Sequence, residues 1–349
     1  MPSPLVSVVM AVRDGEHFLD QTIESVRTQT LEDFEFIIVN DGSTDTTPEI
    51  LAAYARRDPR VVVLHVKREG LIAALRRGID AVRAPFLARI DADDIATPER
   101  LFRQVERMEH EPELGLLGGQ AYIIDEQGRP LGLRTPPTDH ETLIVLLARI
   151  NPFIQSTVML RTELVRAIGG YRPAFELAED YDLWLRLSEH SRIANLAEPL
   201  VHYRVHNRSE TSSKTLRLAF LARLARRAAE ERRTGRPDPF DGFTTSPGLR
   251  RVPPDACYAA DARDFRLLEL YDADVARNLN LAGLDPAILD GLPRRLDHGE
   301  RKLAQRALLN LLKRDDRPNG FGWLRLFALL VRLHPARAIT ILARGLFKV

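Results

Sequence analysis

The chain has 349 residues, 44% of them hydrophobic, enough to bury a sizeable core and form two domains. A net charge of +1 argues against a generally basic nucleic-acid binder. The single cysteine, Cys257, excludes an intrachain disulfide, and no Cys/His cluster has zinc spacing. The opening MPSPLVSVVMAVRDGE has no basic leader, and its apolar run stops at Arg13 and Asp14, unlike a signal peptide. No uncharged apolar stretch of about 18 residues occurs. The expectation is a cytoplasmic protein without a transmembrane helix, peripheral contact with the inner membrane face staying open.

Apolar, β-branched runs at Val6–Val12, Phe34–Val39, Val61–Val66 and Phe86–Ile90 predict four strands. Between them lie helical patterns: Phe18/Leu19, Thr22/Ile23 and Val26; Ile50, Leu51 and Tyr54; Leu71, Leu75, Ile79 and Val82. Strands alternating with helices predict an α/β fold, a mostly parallel sheet covered on both faces. From about Gly115 the pattern changes to an α+β extension. A hairpin is expected at Tyr122–Asp125 and Pro130–Leu133, then a helix at Asp139–Ala148 and a strand at Ser156–Leu160. A helix at Asp180–His190, a strand at Pro199–His206 and an Arg-rich helix at Leu216–Arg233 follow. Gly235–Pro254 has the composition of a linker or irregular loop, and only helical periodicity continues from Ala262. These patterns divide the chain into an α/β domain over residues 1–212 and a mostly helical region over 213–349.

In an open parallel sheet, ligands bind beyond the carboxyl ends of the strands. Polar groups follow three of the four early strands: Arg13-Asp14-Gly15, Asn40-Asp41-Gly42-Ser43-Thr44-Asp45 and Asp91-Ala92-Asp93-Asp94. Three carboxylates within four residues repel one another, which favours neutralisation or a bound cation. Oxygen ligands suit Mg²⁺ or Mn²⁺ completed by substrate phosphates. A solvated turn capping the helix after Thr97-Pro98 is the structural alternative, and the strands ahead favour the cation. Asp41 fits either a turn or hydrogen bonding to a nucleotide base. No Gly-x-Gly-x-x-Gly follows the first strand and no Walker A segment occurs, which disfavours dehydrogenases and P-loop NTPases.

Three segments carry a resemblance: VSVVMAVRDGEHFLDQTIESVRTQTLEDFEFIIVNDGSTDTT from Val6, LARIDADDIATPERL from Leu87, and Asn151–Leu187 with NPFIQSTVML, GGYRPAF and AEDYDLWLRL. Together they resemble the family 2 glycosyltransferases of GT-A fold, across roughly the first 210 residues. The resemblance implies inverting transfer of a sugar from a nucleotide diphosphate donor, UDP-sugars first, to a carbohydrate or lipid-linked acceptor. Bacterial surface polysaccharide or glycoconjugate biosynthesis is the implied setting. It makes Asp41 the base-recognition residue, with Ala11 and Arg13 lining that pocket and Arg68 reaching the nucleotide or its phosphates. Asp91 and Ala92 join the donor site, Asp93 coordinates Mn²⁺ or Mg²⁺ with Asp91 and His206 nearby, and Asp180 is the implied base. Two positions depart from the pattern: Arg68-Glu69-Gly70 replaces a turn that often has Asn, and Gln155 replaces a frequent His.

Structural alternatives stand beside these roles. Asp180 suits a helix cap, and His202 and His206 suit an ordinary strand. The competing functions are a sugar-1-phosphate nucleotidyltransferase and a non-catalytic sugar-nucleotide-binding protein. The basic amphipathic pair around Leu324–Val331 and Ile339–Leu346 suits packing on the catalytic domain, a homo-oligomer contact or a membrane interface.

Overall fold

The computed structural model describes residues 3–206, 215–248, 252–253 and 255–262. The chain runs β1 (Val6–Val12), α1 (Leu19–Arg27), β2 (Phe34–Asp41), α2 (Thr47–Arg57), β3 (Val61–Val66), α3 (Leu71–Ala81), β4 (Phe86–Arg89), β5 (Ile95–Ala96) and α4 (Arg100–His110). It continues with β6 (Leu114–Ile124), β7 (Pro130–Arg134), α5 (His140–Leu147), β8 (Met159–Arg161), α6 (Thr162–Ala167), α7 (Glu179–Leu187), β9 (Arg192–Arg204) and α8 (Thr215–Arg233). One nine-stranded sheet has the order β3-β2-β1-β4-β8-β6-β9-β5, with β7 paired to β6. The pairs β3·β2, β2·β1 and β1·β4 are parallel, as the alternating pattern predicts. Beyond β4 the sheet is mixed: β8 runs antiparallel to β4 and β6, while β9 runs parallel to β6.

The strand alternation explains the layers. Val6, Val8, Met10 and Val12 of β1 share one buried cluster with Leu19, Ile23 and Val26 of α1, Leu51 and Tyr54 of α2, and Leu101, Val105 and Met108 of α4. The opposite face of β1 receives α3. A Cβ on Gly78 would lie 2.5 Å from Val9 Cγ1 and 3.4 Å from Val39 Cγ2, so only glycine lets α3 approach this closely. Phe86, Ala88 and Ile90 join the first cluster. Leu87 and Arg89 therefore point to the second face.

Two strands are longer than their sequence pattern suggests. β6 starts at Leu114, because the glycines that break the apolar run sit where neighbours press on the strand. A Cβ would come within 2.2 Å of Ser191 at Gly115, 2.3 Å of Asn195 at Gly118 and 2.6 Å of Leu200 at Gly119. β9 begins at Arg192 and passes through Pro199, where irregularities in the β6·β9 register absorb the proline. The expected strand at Ser156–Leu160 is a 3₁₀ turn at Gln155–Thr157 followed by β8. The β6–β7 hairpin is closed by Asp125, whose Oδ1 accepts from Gln127 N at 3.0 Å and Arg129 N at 2.8 Å.

Contacts group residues 1–213 with 221–246 in one unit and 214–220 with 247–349 in another. The stretch after α8, read from composition as a linker or irregular loop, thus belongs to the first unit as far as Ser246. In the second unit, Phe220 and Tyr258 meet edge-on at 6.4 Å. The amphipathic pair near the C-terminus lies outside the described residues. No helix among the described residues is long and apolar enough to cross a membrane.

Candidate active site

The loops after β1, β2 and β3 interlock at the carboxyl edge of the sheet. Asp14 holds φ +50°, and its Oδ1 accepts from Thr44 N at 2.8 Å while its own N–H donates to Ser43 Oγ at 3.0 Å. Gly15 N donates to Thr47 Oγ1 at 2.9 Å, and Thr46 Oγ1 donates to Glu16 Oε2 at 2.7 Å. Asp41, the last residue of β2, is 3% exposed. Its two oxygens accept from Glu69 N at 2.6 Å and Gly70 N at 3.0 Å. The carboxylate expected to read a base therefore clamps the Arg68–Gly70 loop. Gly42 lets that loop come close: its φ is +64°, and a Cβ there would lie 2.8 Å from Arg68 N. Arg13 and Arg68 are exposed, and half-buried Ala11 continues the face of β1 that carries Val9 toward the edge.

The acidic run after β4 is neutralised largely by the protein itself. Arg89, 2% exposed, donates from Nη2 to Asp91 Oδ1 at 2.7 Å. Asp91 Oδ2 accepts from Ser156 Oγ at 3.2 Å, and Ser156 Oγ accepts from Asp91 N at 3.0 Å. Each Asp91 oxygen thus accepts one hydrogen bond, which fixes the carboxylate and leaves one lone pair on each oxygen. Asp94 is buried, and its Oδ1 accepts from Arg204 N at 2.8 Å. Burial, followed by the charges of Asp93 and Asp91, pushes its carboxyl well above the usual range. Arg204 also donates from Nε to Asp93 O at 2.9 Å and stacks 4.5 Å over the Phe18 ring. Fully buried Arg100 donates to Arg89 O at 2.6 Å; burial lowers its pKa to about 9. Ala92 contributes its carbonyl oxygen, which accepts from Thr22 Oγ1 at 3.0 Å.

Asp93 is the carboxylate left facing a replaceable partner. Its Oδ2 lies 2.8 Å from His206 Nε2, and His206 packs 5.2 Å from the Phe18 ring. Burial and then the Asp91 charge raise Asp93's pKa, with His206 acting against the rise. His206 Nδ1 and Asp94 Oδ2 are buried without a hydrogen-bond partner among the described residues. The Asp93 carboxylate suits Mn²⁺ or Mg²⁺, whereas an imidazole prefers softer transition metals, so Mn²⁺ is the easier fit of the two. No group of three or more His, Cys, Asp or Glu among the described residues could hold a metal alone. The remaining positions would fall to phosphate oxygens and water, the usual arrangement for Mg²⁺ on a nucleotide. The donor set fits such an ion on those terms.

Asp180 does not cap its helix: the N-cap of α7 is Ala178, with no side-chain cap bond. Half-buried Asp180 instead accepts from Asn151 Nδ2 at 2.7 Å and from Tyr181 N at 2.6 Å. Burial lifts its pKa from 3.8 to about 6 against these two hydrogen bonds, with the Asp91 charge adding to the rise and Arg89 opposing it. Glu179 beside it is 4% exposed, and its carboxyl is shifted upward by burial first and the Asp180 charge second. The electrostatic influence of Asp91 and Arg89 on Asp180 links α7 to the end of β4.

Arg89, Asn151, Ser156 and Arg204 support the site without having been singled out in the sequence. Arg89 left one legible trace: a charged residue inside the buried apolar strand FLAR, two positions before Asp91. Asn151 and Ser156 lie far from their partners in sequence and carry no comparable local mark.

The profile of Glycosyl transferase family 2 matches residues 7–169. The O-antigen biosynthesis glycosyltransferase WbnJ of Escherichia coli is 32% identical over 213 residues, covering 60% of this chain and 83% of WbnJ. The crystal structure of S. aureus TarS 1–349 with UDP-GlcNAc superposes with a TM-score of 0.52 at 17% identity, covering 95% of this chain and 87% of that 1–349 chain. The mannosyltransferase PcManGT from Pyrobaculum calidifontis, in complex with GDP-Man and Mn²⁺, gives 0.50 at 16% identity, covering 97% and 87%. These two structures match the fold.

Proposed function

The chain belongs to glycosyltransferase family 2, and on that premise we propose that it moves a sugar from a nucleoside diphosphate to an acceptor hydroxyl with inversion. UDP-sugars are the first donors to test, and a polysaccharide or other glycoconjugate is the proposed product. WbnJ supports the product class, and the donors bound by TarS and PcManGT support the donor class.

The observation that carries this reading is Asp180, a carboxylate held by Asn151 and Tyr181 N with its pKa lifted to about 6. A general base works best with a pKa near the operating pH, and this one is ionised at pH 7 yet basic enough to accept a proton. Asn151 fixes Oδ2, so the acceptor hydroxyl would approach the remaining lone pairs and pass its proton to Asp180 as it attacks the anomeric carbon. A divalent ion held by Asp93 and His206 would supply Lewis-acid neutralisation of the departing diphosphate. Arg89 and Ser156 keep Asp91 in one orientation beside that charge. The interlocked loops after β1–β3 form the donor-side wall, with exposed Arg13 and Arg68 available to phosphate oxygens.

The test is a panel of nucleotide sugars with Mn²⁺, read by thermal shift and nucleoside diphosphate release. The expected result is stabilisation by one donor class and release on adding acceptor, both lost with EDTA and weakened in Asp93→Asn. Donor stabilisation with no turnover over a broad acceptor panel would favour the binding-protein alternative. Full turnover in excess EDTA would remove the metal from the proposal.

A further inference from the structure

A chain of alternating charges, buried at Asp182 and Arg186 and reaching the surface at Glu189, lies behind α7. Asp182 accepts from Arg186 Nε at 2.9 Å and Nη2 at 2.7 Å. It also accepts from Arg172 Nε at 3.0 Å, with a second prong from Nη2. Arg172 Nη1 then donates to Asp238 Oδ2 at 2.8 Å, and Arg232 Nη1 donates to the same oxygen. Arg232 closes the series on Glu189, from Nη2 to Oε1 at 2.7 Å and from Nε to Oε2 at 2.9 Å. Three cations and three anions thus alternate from Glu189 to Arg186. Asp182 is 0% exposed and Asp238's side chain 9%, so water screens little of the Asp182 end, while the Arg232–Glu189 end reaches the surface. Stacked rings run parallel to the charges: Arg172 sits 4.7 Å over Phe175, and Phe175 meets Phe240 edge-on at 5.6 Å.

The helix geometry connects this network to the site. Two residues along an α-helix is about 200° of rotation, so Asp180 and Asp182 project from nearly opposite sides of α7. Asn151 holds the front through Asp180, and the network holds the back through Asp182. Buried ion pairs are weak stabilisers relative to apolar packing of the same volume, and what they can supply is a fixed geometry. Arg186 extends the same control to the turn before α7, donating to Ile168 O at 2.8 Å and Gly170 O at 2.6 Å.

We propose that Asp238 and Arg232 are positioning residues: acting through Arg172 and Asp182, they lock the rotation of α7 and so aim Asp180 at the acceptor hydroxyl. On this assignment, which rests on Asp180 as base, the segment after α8 is a working part of the catalytic unit. The donor-side loops after β1–β4 lie outside the network, so loosening it leaves donor binding in place.

The experiment compares full-length wild type, Asp238→Asn and Asp180→Asn in initial-rate kinetics at saturating acceptor, with thermal unfolding of each. Asp238→Asn is expected to lower kcat about tenfold with donor KM within about twofold of wild type. Asp238→Glu, which restores the charge, is expected to recover part of kcat. Unchanged kcat in folded Asp238→Asn, or equal losses in kcat and donor affinity, would overturn the proposal. Should Asp238→Asn not fold, Arg172→Lys takes its place, keeping the charge but losing the two-pronged contact; the same kcat-specific loss supports the proposal and unchanged kcat overturns it. Wild-type turnover in Asp180→Asn would instead remove the base assignment itself.

Discussion

The two sides of the site are held by different physics. On the donor side, short loops from neighbouring strands bond to each other through backbone N–H groups, hydroxyls and single carboxylates, as at Asp14–Thr44 and Asp41–Gly70. On the base side, α7 is held by charges brought from Arg172, Arg232 and Asp238, up to 66 residues apart in pair separation. Neighbouring parallel strands bring the first kind of contact together automatically. The second kind depends on the whole chain having folded. Disturbing a donor-side loop should therefore act on donor affinity, while disturbing the base side should act on turnover.

The largest expected effect is at Asp180. Asp180→Asn keeps the shape and an acceptor for one hydrogen bond but cannot take a proton. Turnover is expected to fall about 10²–10⁴-fold with donor KM nearly unchanged. The same substitution removes a charge that costs stability at pH 7 but leaves Asn151 Nδ2 or Tyr181 N without its acceptor, so the melting temperature is expected to change little. Folding raises the Asp180 pKa from 3.8 to about 6, so its contribution to stability is fully present below about pH 4 and lost as pH rises through 6. Removing the charge removes that cost, on the order of 1–3 kcal/mol before solvent screening of a half-buried group. In wild type, kcat is expected to rise with pH through a limb at or below about 6, since a bound cation favours the ionised form.

Next in size is Arg89. Its guanidinium is 2% exposed and pairs with Asp91, so Arg89→Met leaves a carboxylate with its cation removed. Breaking a fully buried pair costs about 3–5 kcal/mol; with the Asp91 side chain 33% exposed the expected loss is about 1–3 kcal/mol, readable as a lower urea midpoint. Arg89→Lys is expected to recover part of the loss, because the charge returns without the planar fork. A loss under about 1 kcal/mol in Arg89→Met would mean that solvent already screens the pair.

The same contrast decides what could be read in advance. The strands β1–β4, the helices α1–α3 and the acidic run at Asp91–Asp94 were legible because periodicity and local sequence define them. The hairpin at Asp125 was legible from its turn residues. The first half of β6 was not legible: Gly115, Gly118 and Gly119 interrupt its apolar run, and only the side chains of Ser191, Asn195 and Leu200 explain them. Pro199 likewise looked like a strand start, because a register irregularity cannot be read from one strand alone. Asp91 and Asp93 were singled out, and the resemblance put His206 near them, but the division of partners was not legible: Arg89 takes Asp91 and His206 takes Asp93. Pairing is a property of the packed state, and the three carboxylates are equivalent until the packing is known.

The smallest of these effects, and the sharpest test of the donor side, is Asp41. Its carboxylate is buried and accepts from Glu69 N and Gly70 N, so Asp41→Ala leaves two backbone donors unpaired. An unsatisfied buried donor costs about 1–3 kcal/mol, and part of that is recovered if the loop opens to water. Opening would carry Arg68 away from Gly42, whose missing Cβ is what lets the two backbones meet. Asp41→Ala is therefore expected to raise donor KM by about five- to tenfold, equivalent to about 1–1.4 kcal/mol, with kcat at saturating donor close to wild type. Asp41→Asn should fall between the two, since its amide oxygen can accept from one N–H while its NH₂ faces the other donor. A kcat loss matching the rise in KM would show that the donor loops also aim the reacting groups, and the division between the two sides would fail. If donor KM stays unchanged while stability falls, the clamp serves folding alone and Arg68 contacts no part of the donor.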